Sequence, residues 1–190
     1  MSSLTLNYKK ELERQLIEND VTTIFGYGSL IWKQDFPVKK IEPGFIKGFK
    51  RRFWLASEDH RGTKESPGRV VSLYKEDTEI VHGVAIEIKD DDRKETLRHL
   101  AWREKGGYQL KMVDFYKQGT ETCELVAVFL GEEDGILSCK NEAIEITANV
   151  IKTSAGPSGH NIDYFKNLVS SLKKVGLPED QYLSSLNKLI

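Results

Sequence analysis

The most restrictive feature of the chain is a break in a strand. An apolar, β-branched run over residues 21–24 reads as a strand and leads into Phe25-Gly26-Tyr27-Gly28-Ser29-Leu30-Ile31-Trp32. Two glycines around a tyrosine make a loop whose backbone amides can turn inward, with no Cβ in the way, toward a carboxylate or an oxyanion. The same residues would also serve as a plain tight turn. A nucleotide-binding strand–loop–helix unit fits worse. The third glycine of a dinucleotide fingerprint is missing, no Lys-Ser/Thr pair follows, and Pro37 interrupts the helix that should open behind the loop.

At 190 residues the chain suits one compact domain, or one domain with an appended end. Lys and Arg number 28 against 29 Asp and Glu, so no charge excess draws it to nucleic acid or anionic lipid, and a small-molecule partner is expected. No apolar run approaches the ~20 residues of a membrane span. Met1-Ser2-Ser3-Leu4 lacks a charged segment leading into an apolar one, so a cytoplasmic protein with no membrane partner is expected. Cys123 and Cys139 stand outside any C-x-x-C pair and fit free thiols in a reducing compartment. His60, His82, His99 and His160 share no ligand spacing, so no metal site is expected. The sequence sets no oligomeric state.

Residues 1–20 are polar, with Leu12, Leu16 and Ile17 at helical spacing, and read as a helical extension on a domain spanning 21–190. Nothing in the extension offers cavity chemistry, which makes it dispensable on this reading. Residues 41–56 mix aromatic and β-branched side chains with Gly44 and Gly48, the pattern of a strand with a bulge. The Lys50-Arg51-Arg52 triplet, beside Phe49, Phe53 and Trp54, raises the question of nucleic acid. Three cations on a neutral chain read better as a solvated strand face. Asp59-His60-Arg61-Gly62-Thr63 and Pro67-Gly68-Arg69 are loop-like and dense in groups that orient a polar ligand. Arg69 stands where a Pro-Gly turn enters a strand over residues 70–74, and its guanidinium fork suits a carboxylate; surface ion pairing is the equal alternative. Residues 80–88 form a further strand, with Gly83 at a bulge or a close backbone approach.

Asp90-Asp91-Asp92 supply N-cap candidates for a helix through about residue 105, closed by Gly106-Gly107. At 3.6 residues per turn, Leu97, Leu100 and Ala101 form its apolar stripe, and Glu104 falls on the same face. Glu95 points the other way and pairs with Arg98 or its neighbours. Desolvation, and then the negative end of the helix dipole, would push the Glu104 carboxyl upward, as a general base near neutrality requires. A buried structural glutamate held by Arg or Tyr is the competing reading. Residues 109–117 and 123–130 read as a hairpin through Gly119. Two helices follow, one marked by Ile144, Ala148 and Ile151, the other by Tyr164, Phe165, Leu168, Val169 and Leu172, with a short third helix past Pro178. Ala155-Gly156-Pro157-Ser158-Gly159-His160-Asn161 between the first two either links them or lines a pocket with its amides and the Ser158 hydroxyl.

In series, these motifs resemble the ChaC-type γ-glutamylcyclotransferases that act on glutathione. The resemblance runs from about Thr23 to Leu172. It is carried by the Phe25–Trp32 octet, Arg-Arg-Phe-Trp at 51–54, Asp-His-Arg-Gly-Thr at 59–63 and Pro-Gly-Arg-Val at 67–70. Gly-Val-Ala at 83–85, Arg-Glu-Lys-Gly-Gly-Tyr at 103–108 and Ala-Gly-Pro-Ser-Gly-x-Asn at 155–161 continue it. The chain departs from the family pattern at Leu55-Ala56-Ser57-Glu58, at His82 and in its N-terminal extension, points that bear on substrate fit more than on chemistry. The resemblance implies an α+β fold, a six-stranded β-barrel-like core surrounded by helices. It also implies an intramolecular reaction in which the α-amine of a γ-glutamyl unit attacks its own γ-carbonyl, releasing 5-oxoproline and, from glutathione, cysteinylglycine. No cofactor is implied. Glu104 would be the catalytic proton acceptor and donor, the loop of Tyr27, Gly28, Ser29 and Leu30 would hold the α-carboxylate or the developing oxyanion, and Arg69 and Tyr108 would grip the substrate.

Overall fold

The strand ahead of the glycine loop is β1, Thr23–Gly26, and all four of its residues are buried in the computed structural model, which describes residues 3–103 and 108–190. Its two edges are both paired. β1 runs antiparallel to β3 (Gly68–Ile88), with Phe25 opposite Ala85, and parallel to β5 (Cys123–Gly131), with Ile24 opposite Ala127. β2 (Val38–Ser57) and β4 (Tyr108–Lys117) complete a closed barrel in the order β1-β3-β2-β4-β5. The barrel thus has five described strands where six were expected. Residues 70–74 and 80–88, read from sequence as separate strands, are one 21-residue strand, β3, lying along the 20-residue β2.

Strands of this length must bend to close a barrel. The bulge foreseen near Gly48 is present: its φ is +82°, and the register with β3 shifts between Lys47 and Phe49. Gly83 is a close approach, since a Cβ there would lie 2.4 Å from the Gly26 carbonyl oxygen. Inside, Phe25, Phe53 and Phe115 are at most 1 % exposed, and Phe25 and Phe115 meet with ring centroids 5.9 Å apart. Around the barrel lie α2 (Arg93–Arg103), α3 (Ile144–Thr153), α4 (Asn161–Lys174) and α5 (Gln181–Asn187). Between α3 and α4, the Ala155–Gly156 and Gly159–His160 pairs form the two-residue strands β6 and β7.

Arg51 corrects the solvated-face reading of the Lys50-Arg51-Arg52 triplet. The alternation of β2 turns Lys50 and Arg52 partly outward and Arg51 inward, where it is 2 % exposed. There its Nη1 donates to Asp180 Oδ2 at 2.8 Å and its Nη2 to the His82 carbonyl, so the residue ties the barrel to the N-cap of α5. The backbone of His82, one of the departures from the family pattern, therefore serves the core. Burial, and then the Arg51 charge, hold the His82 ring below its ordinary pKa.

The N-terminal helix, α1, spans Ser3–Glu18. Leu12 and Leu16 are 2 % and 0 % exposed and belong to the main core, while Ile17, at 42 %, points to solvent. α1 packs on α2: Lys9 is buried, its ammonium lies 4.7 Å from the Trp102 ring centroid and donates to the Trp102 carbonyl at 3.2 Å, and Glu13 pairs with Arg98 at 3.0 Å. Arg98 thus meets α1 and not Glu95. These contacts speak against dispensability. Leu16→Ala is expected to lower the free energy of unfolding by about 2–5 kcal/mol, the usual range for a truncated core leucine. A loss under ~0.5 kcal/mol in a urea titration would mean that α1 contributes little to the fold.

Candidate active site

β1 delivers the glycine loop to the rim of the barrel, and several contacts fix it there. The Tyr27 hydroxyl donates to the Phe129 carbonyl on β5 at 2.7 Å, both buried, so Tyr27 anchors the loop to the sheet. Gly28 has no room for a side chain, because a Cβ would meet Val71 at 2.9 Å and the Tyr164 hydroxyl at 3.2 Å. The chain then winds into a 3-10 turn over Ser29–Ile31. The carbonyls of Gly28 and Ser29 accept from Ile31, Trp32 and Lys33. Among the described hydrogen bonds the amides of Gly28, Ser29 and Leu30 donate to nothing.

Two cavities flank this loop. A small one of about 50 Å³ is bounded by Gly28, Ser29, Leu30, Val71, Tyr108 and Tyr164. A cleft of about 380 Å³ shares Ser29, Tyr108 and Tyr164 with it and continues past Arg103 toward Arg61 and Ser158. Tyr108, the first residue of β4, and Tyr164 on α4 thus stand at the junction. The Tyr164 ring packs edge-on against Trp32 and Phe53, with centroids 5.4 and 5.9 Å away. Leu55, Ala56 and Ser57, from the segment in which the chain departs from the family pattern, line the cleft. A wider groove of about 580 Å³, between Phe49, Lys111 and the 131–135 loop, holds none of the expected site residues.

The face of α2 follows the 3.6-residue reading: Leu97, Leu100 and Ala101 are buried and Glu95 is exposed. Glu104 and the Gly106-Gly107 stop lie outside the described residues. Arg103, one residue earlier, carries a role that the sequence reading missed. Its Nη1 donates to Asp35 Oδ1 at 2.5 Å and to the Lys33 carbonyl at 3.1 Å, and its Nη2 to Ser29 Oγ at 3.2 Å. One guanidinium therefore ties the end of α2 to the glycine loop. Burial alone would raise the Asp35 carboxyl, but the Arg103 charge and a hydrogen bond from His99 outweigh it and hold the pKa below the ordinary value. The sequence signal was Arg103 beside Glu104, but its partners are some 70 residues away and no periodicity reports them.

Arg69 departs from expectation. Its fork is closed on a carboxylate of the chain itself: Nε and Nη2 donate to the two oxygens of Glu142 at 3.0 and 2.6 Å, with both side chains only 12–13 % exposed. Thr147 Oγ1 donates to the same carboxylate at 2.8 Å. The Arg69 backbone is pinned as well, its N–H donating to Asn161 Oδ1 at 2.6 Å and its carbonyl accepting from Asn161 Nδ2 at 2.7 Å. This bidentate, largely desolvated pair joins β3 to α3, and the Asn161 bonds join it to α4, so the neighbour Val70, and not Arg69, lines the cleft.

A family model described as "ChaC-like protein" matches residues 22–190. The chain belongs to the ChaC-like family. It is 41 % identical over 168 residues to a glutathione-specific γ-glutamylcyclotransferase 1 of Danio rerio, covering 86 % of this chain and 85 % of that one. It is 40 % identical over 171 residues to a γ-glutamylcyclotransferase 2-3 of Arabidopsis thaliana, with the same coverage. Among solved structures, a γ-glutamylcyclotransferase specific to glutathione from yeast superposes with a TM-score of 0.82 at 28 % identity, over 88 % of this chain and 97 % of that one. The ChaC-like fold and the closed barrel are thus shared. No helix of the described residues is long and apolar enough to cross a membrane, and no three of their His, Cys, Asp and Glu side chains gather as metal ligands.

The Arg69 pair yields a prediction. Arg69→Met strands Glu142 in a largely buried site and should lower stability by about 3 kcal/mol, while KM for substrate stays within about twofold. Unchanged stability with a raised KM would return Arg69 to the substrate.

Proposed function

We propose that the protein cyclises the γ-glutamyl unit of glutathione, releasing 5-oxoproline and cysteinylglycine, and so acts as a γ-glutamylcyclotransferase, a lyase. The observation that carries the proposal is the small cavity lined by Gly28, Ser29 and Leu30, whose amides donate to nothing among the described hydrogen bonds, in a chain whose relatives bear that activity in their names. The pocket suits a compact head group with a longer tail in the cleft. Glutathione has that shape, a γ-glutamyl head on a cysteinylglycine tail.

In this reading Glu104 accepts a proton from the α-ammonium, because a protonated amine has no lone pair with which to attack. The freed amine adds to the γ-carbonyl and closes a five-membered ring. The amides of Gly28, Ser29 and Leu30 hold the oxygen that becomes negative. Collapse of the intermediate breaks the C–N bond as Glu104 returns its proton to the departing nitrogen of cysteinylglycine, and the ring nitrogen, which still carries two hydrogens, gives up one to solvent to leave the neutral ring amide of 5-oxoproline. Arg103 keeps the loop and the end of α2 in one geometry, Tyr27 fixes the loop to β5, and Tyr108 faces the substrate from β4. The nucleophile is part of the substrate, so the chemistry calls for neither metal nor cofactor. We place the reaction in the cytoplasm, where Cys123 and Cys139 would remain the free thiols they are here.

A donor panel of glutathione, γ-glutamyl-alanine and γ-glutamyl-lysine, read by 5-oxoproline release, tests the proposal. Release chiefly from glutathione is expected. Release only from another donor would make the protein a cyclotransferase for a different γ-glutamyl compound, and silence on all three would leave a binding protein of the same fold.

A further inference from the structure

The tail of such a substrate ends in a carboxylate, and the far end of the cleft holds a cation that the chemistry described above does not use. The geometry points to Arg61 as the group that takes the glycyl carboxylate and so measures the length of the donor. This inference rests on the cyclotransferase reading of the cleft.

Arg61 sits in the Asp59-His60-Arg61-Gly62-Thr63 motif, which the catalytic proposal leaves unassigned. Its guanidinium lies 5.5 Å from the ring centroid of Tyr164, and its Nη1 donates to the His160 carbonyl at 3.1 Å. No carboxylate pairs with it among the described residues. Arg103, the other guanidinium of the cleft, is committed to Asp35, and Lys33 is exposed on its long stem. Arg61 therefore keeps donors available for an incoming carboxylate, and the Tyr164 ring and the His160 carbonyl hold its guanidinium in place.

The loop that carries it is rigid. The Arg61 amide donates to Ser57 Oγ at 3.0 Å, and Ser158 N–H donates to the His60 carbonyl at 2.9 Å. His60 Nδ1 and Ser158 Oγ share a further hydrogen bond of 3.1 Å. Gly62 is packed so closely that a Cβ would fall 2.0 Å from Gly68 N. A cation fixed before binding loses little entropy when it grips a ligand.

Tyr164 supplies the ruler. Its hydroxyl lies at Gly28, beside the small cavity, and its ring carries Arg61. An extended tripeptide reaches about 10 Å, so a γ-glutamyl head at the glycine loop leaves the terminal carboxylate of glutathione near the far end of the same side chain. A free γ-glutamyl amino acid carries its second carboxylate one residue short of that point.

The test compares glutathione with its glycyl monoethyl ester, which keeps the γ-glutamyl head and removes the terminal charge. The wild-type protein should prefer glutathione by about tenfold in kcat/KM, the worth of one charge-assisted pair at a part-exposed site. Arg61→Gln should lose that factor on glutathione through KM, with kcat within about twofold, and should treat the two substrates alike. Lys33→Ala should keep the wild-type ratio. If Arg61→Gln does not fold, Arg61→Lys, which keeps the charge without the fork, must show an intermediate ratio. An active wild type that does not discriminate, an Arg61→Gln that still does, or a Lys33→Ala that does not would overturn the assignment and leave the cyclotransferase reading standing. A wild type silent on every γ-glutamyl donor would overturn both.

Discussion

The site depends on β1 being held along both edges. A four-residue strand buried on both faces has no stability of its own; here it gains an antiparallel neighbour in β3 and a parallel one in β5, and that second pairing closes the barrel. Closure fixes where the chain leaves the sheet. Gly26 is locked against Val84, the Tyr27 hydroxyl reaches across to Phe129, and the next residues turn over the barrel rim with amides that donate to nothing among the described hydrogen bonds. On the proposed reading, a loop placed this way would serve as a preorganised anion site because the sheet, and not the ligand, bears the cost of ordering it.

The second constraint is Arg103. Its fork spans the gap between the end of α2 and the 29–35 segment, so a motion of either would break charge-assisted hydrogen bonds to Asp35, Ser29 and the Lys33 carbonyl together. α1 braces the same helix end from the other side through Lys9 and Trp102. Whatever Glu104 does, it follows directly on a residue fixed between these two contacts. In this account the N-terminal helix is part of the support of the site, and its core leucines explain how a segment without cavity chemistry still shapes it.

Much of this was legible in the chain. Periodicity identified the buried stripe of α2 at Leu97, Leu100 and Ala101, the bulge at Gly48 and the close approach at Gly83, since each follows from local geometry that residue type controls. The loop at Gly26 and Gly28 was visible for the same reason. Long-range partners were not. Arg69 looked available because Glu142 is 73 residues distant, and Arg51 looked solvated because nothing nearby in sequence announces Asp180. Charge pairing across a barrel leaves no period to read, and it was the family motifs in series that indicated the fold and the chemistry.

The account's central claim is that the carboxylate of Glu104, the residue that follows Arg103 in the sequence, moves the proton while the glycine loop holds the negative oxygen. Steady-state turnover of glutathione by Glu104→Gln, set beside Glu95→Gln on the exposed face of α2, tests it most directly. The account predicts a loss of roughly 10²–10⁴-fold in kcat for Glu104→Gln with KM and fold little changed, and near-normal rates for Glu95→Gln. Near-normal turnover by Glu104→Gln, or an equal loss in Glu95→Gln, would contradict it.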